Sequence, residues 1–150
     1  MPRVLVCNGP NLNLLGQRQP EIYGHASLAD IEARLRFLAR RWQDVELDFF
    51  QSNAEGEIID WLQAQAPRAQ GAIVNPGGLA HTSVVLRDAV AALGLDTVEV
   101  HLSNIYAREP FRRRSLLSGV CVGCISGLGA FGYEAALAAL ARRRGWPEHT

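Results

Sequence analysis

The feature that most constrains the fold is a short apolar run followed at once by a long polar loop. Residues 4–7 (Val-Leu-Val-Cys) form the run, and its lack of a polar side is typical of a strand buried on both faces of a parallel sheet. Residues 8–24 show neither a helical nor an alternating period and are punctuated by Gly and Pro. Ligands of open α/β sheets bind beyond the carboxyl ends of the strands, and loops longer than about 12 residues are commonly functional. We therefore interpret residues 16–24 as a lid over a binding site.

The rest of the chain alternates strand-like and helix-like segments without a break in composition. The predicted strands are residues 3–7, 45–51, 72–74, 97–101 and about 120–125, and the predicted helices begin near residues 28, 52, 83 and 130. This alternation predicts a single α/β domain over residues 1–150, with a short C-terminal tail at about 145–150. The expected architecture is a flavodoxin-like, doubly wound, five-stranded parallel sheet with helices on both faces.

Local signals refine two of these helices. Ser27 and Asp30 resemble a capping box at the start of the first long helix. Thr82 or Ser83 is expected to cap the helix that follows the third strand. Helical spacing then predicts that four of its residues face the core, namely Val85, Leu86, Ala89 and Leu93.

Composition excludes several classes of function. Fifteen acidic and fifteen basic residues cancel, so no affinity for nucleic acid or an anionic membrane is expected. No apolar stretch approaches the about 20 residues of a membrane span, and no secretory signal precedes the first loop. Three cysteines fit a reduced, cytoplasmic location better than a disulfide scaffold. All fifteen basic residues are arginine, which excludes lysine Schiff bases, pyridoxal phosphate anchoring and a Walker-type phosphate loop.

Unusual polar residues follow the carboxyl ends of three predicted strands. Because such ends meet at one edge of a parallel sheet, these residues are expected to converge. They are Asn11, Arg18 and Tyr23 after the first strand, Asn75, His81 and Asp88 after the third, and His101, Ser103, Asn104 and Arg108 after the fourth.

Two pairs among these residues have the chemistry of an acid and a base. Glu99 and His101 lie two apart on a strand and share a face, so the carboxylate can fix the imidazole tautomer and support its charged form. A strand-end histidine with a chance neighbour is an equally good interpretation. A tyrosine acts as a base only when its pKa falls from about 10 towards neutrality. An adjacent guanidinium group is the simplest way to lower it, and Arg18 lies five residues before Tyr23. Taken alone, Tyr23 is more typical of a packing residue.

Metal and cofactor motifs are weak. The four histidines show no ligand spacing. Cys121 and Cys124 match half of a zinc or redox motif, but no second half exists, so we interpret both as small core residues. The glycine-rich residues 126–132 lack the dinucleotide spacing. By the same reasoning His81 can be a helix cap and Asp88 a surface charge. The spacing of these residues therefore does not favour a metal site.

Three separated motifs closely resemble the type II 3-dehydroquinate dehydratases. They are NGPNLNLLG with PEIYG in residues 8–24, NPGG with HTSVVLRD in residues 75–88, and EVHLSN with ARE and FR in residues 99–112. The resemblance runs in register from about residue 3 to residue 140. It implies a flavodoxin-like fold without metal or organic cofactor, and a homododecamer built as a tetramer of trimers. The implied reaction is the anti elimination of water from 3-dehydroquinate through an enolate, giving 3-dehydroshikimate.

The resemblance also implies residue roles. Tyr23 matches the base that removes the proton next to the ketone, and His101, oriented by Glu99, matches the acid that protonates the departing hydroxyl. Among the other catalytic positions, Arg18 matches the residue that lowers the pKa of Tyr23 and stabilises developing charge, with Arg108 nearby, and Asn11 matches the residue that holds the water that stabilises the enolate. The substrate-binding positions match Asn75, His81 and Arg112 for hydroxyl groups, Leu102 and Ser103 for the carboxylate, and Asp88, which reaches into the site of a neighbouring subunit.

A few positions differ from the usual family pattern. Gln19 replaces a Glu beside Arg18, Tyr106 replaces a common His, and Leu79-Ala80 replaces a common Tyr-Thr. The residues themselves leave open another cofactor-free lyase or isomerase on this scaffold, and a non-catalytic oligomeric binding protein. Flavin binding is disfavoured, because the first loop has Arg18 and Pro20 where small phosphate-binding residues belong. The reaction serves aromatic biosynthesis and quinate breakdown alike.

Overall fold

The computed structural model describes residues 1–42 and 44–150. A five-stranded sheet forms its centre, with strand order β2-β1-β3-β4-β5 and every neighbouring pair parallel. The strands are β1 (Arg3–Asn8), β2 (Glu46–Gln51), β3 (Gly71–Asn75), β4 (Asp96–His101) and β5 (Gly123–Ser126). This architecture confirms the predicted flavodoxin-like α/β class.

Helices cover both faces of the sheet. They are α1 (Pro20–Tyr23), α2 (Leu28–Ala39), α3 (Glu55–Gln65), α4 (Val84–Leu93) and α5 (Phe131–Arg144). Val4 and Val6 of β1 belong to the core beneath α2 and α5, whereas Leu5 and Cys7 belong to the core beneath α3 and α4. Alternate side chains of β1 are thus buried in two different hydrophobic cores, one on each face of the sheet. This explains why residues 4–7 have no polar side. No helix in the described part of the chain is both long and apolar enough to cross a membrane.

Side-chain caps fix where two of the helices begin. Ser27 Oγ accepts a hydrogen bond from Asp30 N at 3.1 Å, and Asp30 Oδ2 accepts one from Ser27 N at 3.0 Å. The predicted capping box is therefore confirmed, and its hydrogen bonds lower the pKa of Asp30. Of the two candidate caps of α4, Ser83 is the one used, since its Oγ accepts from Leu86 N at 2.9 Å. A cap of this kind contributes about 1 kcal/mol.

The predicted inner face of α4 is wrong at one position. Val85 is 52% exposed, and Val90, which was not predicted, is buried. Helix α4 begins directly after Ser83, and the side of the helix that faces the core carries Leu86, Ala89 and Val90. Val85 therefore faces outward.

Strand β5 is shorter than predicted, and this changes the interpretation of two cysteines. The strand begins at Gly123, because Ser118–Val120 forms a 3₁₀ turn instead. Cys121 precedes the strand and is partly buried, whereas Cys124 lies in it and is exposed. The prediction that both cysteines are core residues is wrong for Cys124, because β5 is an edge strand with a neighbour on one side only.

The segment after α5 is held against the end of α2. Helix α5 ends with Gly145 in the left-handed conformation at φ 68°. Glu148 then forms an isolated bridge to Trp42 and an ion pair to Arg41 at 3.2 Å. His149 N donates to the carbonyl oxygen of Arg41 at 2.8 Å. The expected tail is therefore attached to the body of the protein by main-chain and side-chain contacts.

Candidate active site

A cleft of about 140 Å³ lies over the carboxyl ends of the central strands. Three separated stretches of chain line it, as the convergence of polar residues predicted. Its predicted lining residues are Asn11, Arg18, Tyr23, Asn75, His81, His101, Leu102, Ser103, Arg108 and Arg112. Pro10, Leu12, Gly77, Gly78 and Ile105 line it as well.

Two of the residues expected at this edge, Asp88 and Asn104, do not line the cleft, and neither does the predicted partner of His101, Glu99. Glu99 lies behind His101, to which it is hydrogen-bonded. Asp88 is exposed on α4. Asn104 does not converge with the others, because its Oδ1 accepts from Tyr106 N at 3.1 Å and caps the 3₁₀ turn Ile105–Ala107.

Two glycines allow the loops after β1 and β3 to touch. Gly9 N donates to the carbonyl oxygen of Asn75 at 2.8 Å, and a Cβ on Gly9 would lie 2.5 Å from the carbonyl oxygen of Pro76. Gly77 has φ +57°, and its Cβ would lie 3.0 Å from the carbonyl oxygen of Pro10. No other residue type fits both the space at Gly9 and the conformation at Gly77 without strain. This contact fixes the first loop relative to the third.

Two arginines flank Tyr23. The Arg18 Cζ lies 5.0 Å from the centre of the Tyr23 ring, and the Arg108 Cζ lies 5.2 Å from it. Arg108 Nη1 also donates to Ser103 Oγ at 3.2 Å, which ties the arginine to the loop after β4. Two guanidinium groups at these distances lie within cation–π range of one aromatic ring.

The cleft lining includes a third arginine, Arg112. Arg112 Nε lies 2.5 Å from Glu109 Oε2, and Arg108 Nε lies 3.9 Å from the same oxygen. A hydrogen bond from its own backbone, and then the contacts with Arg112 and Arg108, lower the pKa of Glu109. The cleft lining itself contains arginines and histidines but no acidic residue among the residues that the structure describes. Such a surface attracts an anionic ligand.

Behind the cleft, Glu99 and His101 form a buried pair. The Nε2–H of His101 donates to Glu99 Oε2, and Glu99 is fully buried. Ser115 Oγ lies 2.9 Å from both carboxylate oxygens, and Ser118 Oγ donates to Oε1 at 2.8 Å. Burial opposes ionisation of Glu99, but the hydrogen bonds and charge of His101 and the two serine hydroxyls outweigh it and lower the pKa of Glu99. The carboxylate therefore fixes the orientation of the imidazole through Nε2 and leaves Nδ1 as its other ring nitrogen.

A second histidine stands beside the first. His81 Nδ1 lies 2.8 Å from the carbonyl oxygen of Arg114. A carbonyl can only accept, so Nδ1 carries the proton and donates. The ring centres of His81 and His101 are 6.2 Å apart with an angle of 22° between planes. His81 is thus a fixed part of the cleft wall and does not cap a helix.

Asn75 is held by a buried tyrosine that sequence reasoning missed. Asn75 Nδ2 donates to Tyr133 Oη at 2.9 Å, and Tyr133 Oη donates to Asn8 Oδ1 at 2.5 Å. Asn75 Oδ1 accepts from Gly77 N at 3.2 Å. Burial raises the pKa of Tyr133, so its hydroxyl remains a proton donor. No local sequence signal connects Tyr133 to Asn75, because they lie on different elements 58 residues apart.

One group of side chains has the composition of a metal site. Among the described residues, the ligand atoms of Glu99, His101 and Cys124 lie within 4.8 Å of one another. The histidine spacing had given no sign of it, because the register of β4 and β5 places Glu99 opposite Cys124. The cysteine belongs to the half-motif interpreted above as structural.

The fold and the cleft together define a class of protein: a flavodoxin-like α/β protein with a small, positively charged site above its central strands. The family model described as "Dehydroquinase class II" matches residues 2–141. This chain belongs to the class II dehydroquinase family.

Relatives and solved structures agree with this assignment. A protein of Nitrosomonas eutropha named 3-dehydroquinate dehydratase is 57% identical over 143 residues, which cover 94% of this chain and 98% of the relative. One of Gloeobacter violaceus with the same name is 54% identical over 145 residues, covering 95% of this chain and 90% of the relative. The crystal structure of a type II dehydroquinase from Butyrivibrio crossotus aligns with a TM-score of 0.89 at 38% identity, covering 93% of this chain and 97% of that one.

Proposed function

We propose that this chain is a hydro-lyase that dehydrates 3-dehydroquinate to 3-dehydroshikimate. The activity is the one for which its relatives are named. The finer proposal is an anti elimination through an enolate, with Tyr23 as base and His101 as acid. The observation that carries it is the cleft itself, which brings Tyr23, flanked by two arginines, and the Glu99-supported His101 into one small, positively charged space.

Tyr23 removes the proton next to the ketone. A phenol does this near neutral pH only when its ionised form is stabilised, and Arg18 and Arg108 are the cations beside its ring. Proton transfer leaves negative charge on the former ketone oxygen, and in this proposal Asn11, which lines the cleft, holds a water that stabilises that charge. The arginines also balance this charge during the reaction.

His101 completes the elimination. The carbon–oxygen bond to the departing hydroxyl breaks, the electron pair of the enolate forms the new double bond, and the imidazole gives the proton that turns hydroxide into water. Glu99 supports this step, because a carboxylate behind Nε2 favours the protonated imidazole and leaves Nδ1 to face the substrate. The proton taken by Tyr23 then returns to His101 through solvent, which restores both groups.

The remaining lining residues position the substrate. The protein holds both side-chain polar atoms of Asn75 and the Nδ1 atom of His81, which fixes the orientation of these two side chains in the cleft. Together with Arg112 they bind hydroxyl groups, while Leu102 and Ser103 bind the carboxylate through backbone and hydroxyl donors. Residues 1–150 act as one catalytic unit in this proposal, and residues 16–24 close over the bound substrate.

The proposal extends to assembly and cellular role. Asp88 is exposed on α4, and the neighbouring Val84 and Val85 are large apolar side chains that are also exposed. A subunit contact would cover these valines and carry Asp88 into a neighbour's cleft, as in a trimer within a dodecamer. We place the enzyme in the cytoplasm, in the shikimate route to aromatic compounds or in quinate breakdown.

One assay tests the reaction. Purified protein is mixed with 3-dehydroquinate, and the ultraviolet absorbance of the conjugated enone carboxylate product is followed. Absorbance should rise with the wild type and with Tyr106→Phe, a matched control at an exposed tyrosine outside the cleft lining. Binding of 3-dehydroquinate without any absorbance change would point to the non-catalytic binding protein. Turnover of a different acid alone would point to another lyase.

A further inference from the structure

The edge strand of the sheet brings a thiol to the back of the Glu99–His101 pair. In the pairing of β4 with β5, Glu99 lies opposite Cys124 and His101 lies opposite Ser126. Partners in a parallel pair and alternate residues of a strand share one face, so Cys124 points to the same side as Glu99 and His101. Their ligand atoms lie within 4.8 Å of one another. Two members are buried, and Cys124 is exposed.

These three side chains are the ligand types that zinc takes in proteins. Thiolate, imidazole and carboxylate bind Zn²⁺ at about 2.0–2.3 Å, so ligand atoms around one ion lie about 3.5 Å apart. The three ligand atoms reach that spacing when the side chains of Glu99, His101 and Cys124 each move by less than about 2 Å, which small changes in their side-chain torsion angles supply. Three protein ligands with one open position form a usual zinc arrangement. The exposed edge strand gives the ion a path to the two buried ligands.

We propose that Cys124, His101 and Glu99 form a binding site for a soft divalent metal ion such as Zn²⁺, and that the ion switches off the enzyme by holding the imidazole of His101. When the ion binds, the thiol of Cys124 releases its proton to solvent, and so does the His101 nitrogen that faces the carboxylate. The sulfur and nitrogen lone pairs then form the metal bonds, and no oxidation or reduction occurs.

The position of the site determines how the reaction fails. Neither Glu99 nor Cys124 lines the cleft. The ion therefore sits on the far side of the imidazole from the substrate, and the residues that bind substrate keep their places. Because His101 is the acid in the proposed function, on which this part rests, metal binding should lower kcat and leave KM nearly unchanged. Loss of a general acid corresponds to about 100-fold or more in kcat.

Cadmium gives a test of binding that does not depend on activity. Cd²⁺ bound to a thiolate produces an ultraviolet charge-transfer band, and titration of the wild type should give this band with one ion per chain. Cys124→Ser should abolish it. Cys121→Ser is the matched control, since Cys121 is the neighbouring thiol outside the trio, and it should keep the band. Glu99→Gln should weaken Cd²⁺ binding while the band at saturation remains.

Zinc inhibition then tests the switch. Saturating Zn²⁺ should lower wild-type kcat about 100-fold with KM within about twofold, and a chelator should restore activity. Cys124→Ser should have ordinary activity without zinc and resist inhibition.

A wild type without the cadmium band, or a band that survives Cys124→Ser, would overturn the site. Equal zinc inhibition of wild type and Cys124→Ser would overturn the switch, as would cadmium binding that leaves kcat unchanged. If the chain lacks dehydratase activity altogether, the proposed function fails, yet the cadmium titration still decides whether the metal site exists.

Discussion

The guanidinium carbon of Arg18 lies 5.0 Å from the centre of the Tyr23 ring, five residues further along the same loop. The single helical turn of α1, which begins at Pro20, folds the loop back so that both side chains enter the cleft. The proposed base and its proposed activating cation therefore belong to one short segment. Any movement of that segment moves both groups together.

Replacing Tyr23 by Phe removes only the proton acceptor. We expect kcat to fall by about 100-fold or more while substrate binding stays nearly intact, because ring packing is retained. Steady-state assays with 3-dehydroquinate and direct binding measurements check this, with Tyr106→Phe as the control. A Tyr23→Phe variant with near-normal kcat would remove Tyr23 from the mechanism and leave His101 as the better candidate for the base.

Replacing Arg18 by Ala should also slow turnover severely, and the surviving activity should rise at higher pH. The sign follows from electrostatics, because loss of a nearby cation disfavours the phenolate. Arg18→Lys should rescue poorly, since a point charge on a flexible stem does not reproduce the planar guanidinium. The pH–rate profiles of both variants are compared with that of Arg68→Ala, whose arginine does not line the cleft. An unchanged profile for Arg18→Ala would argue against this role.

If residues 16–24 act as a lid, bound ligand should protect them. Gln17 and Gln19, on either side of Arg18, are both exposed. We expect brief trypsin treatment of the free protein to cut after Arg18, and a substrate-like acid to slow this cut. Mass spectrometry identifies the site, and cleavage after Arg68 serves as the reference within the same digest. Equal rates at Arg18 with and without saturating ligand would count against closure.

If Asp88 acts in a neighbouring subunit, two inactive variants should complement each other. Tyr23→Phe and Asp88→Ala subunits are each expected to lack most activity in uniform assemblies. After random mixing by reversible dissociation, about one quarter of the sites should combine an intact Tyr23 with a neighbour's intact Asp88. Activity should recover in that proportion, as measured by the absorbance assay. Mixtures that stay as inactive as their components would confine Asp88 to its own subunit or to no catalytic role.

The close contact between Gly9 and the carbonyl of Pro76 should make Gly9→Ala destabilising. The new methyl group would lie 2.5 Å from backbone oxygen, so one loop must shift. We expect a loss of about 1–3 kcal/mol in the free energy of unfolding, measured by urea denaturation. Gly56→Ala is the matched control, because nothing lies within 4 Å of its new Cβ on α3, and it should gain up to about 1 kcal/mol.

The sequence alone predicted the features that depend on the pattern of neighbouring residues along the chain. The buried strands, the Ser27 cap and the position of polar residues at strand ends follow from periodicity and from the geometry of parallel sheets. Val85 was misplaced because helical spacing alone leaves the rotation of a short helix open by one residue.

Features that depend on tertiary pairing were not accessible in this way. Ser115 and Ser118 donate hydrogen bonds to Glu99, but they lie in a segment whose sequence shows no helical or alternating pattern. Cys124 meets Glu99 only because of the strand register. Such contacts join chain segments whose separation carries no periodic signal, so only the assembled sheet reveals them.

The hydrogen bonds of Tyr133 also set the order in which the cleft can mature during synthesis. Asn8 and Asn75 leave the ribosome well before Tyr133, whose hydroxyl joins them. A nascent chain that already contains residues 1–75 still lacks the hydroxyl group that holds Asn75. In the proposed function, Asn75 therefore takes its substrate-binding orientation only after α5 has been made and has docked.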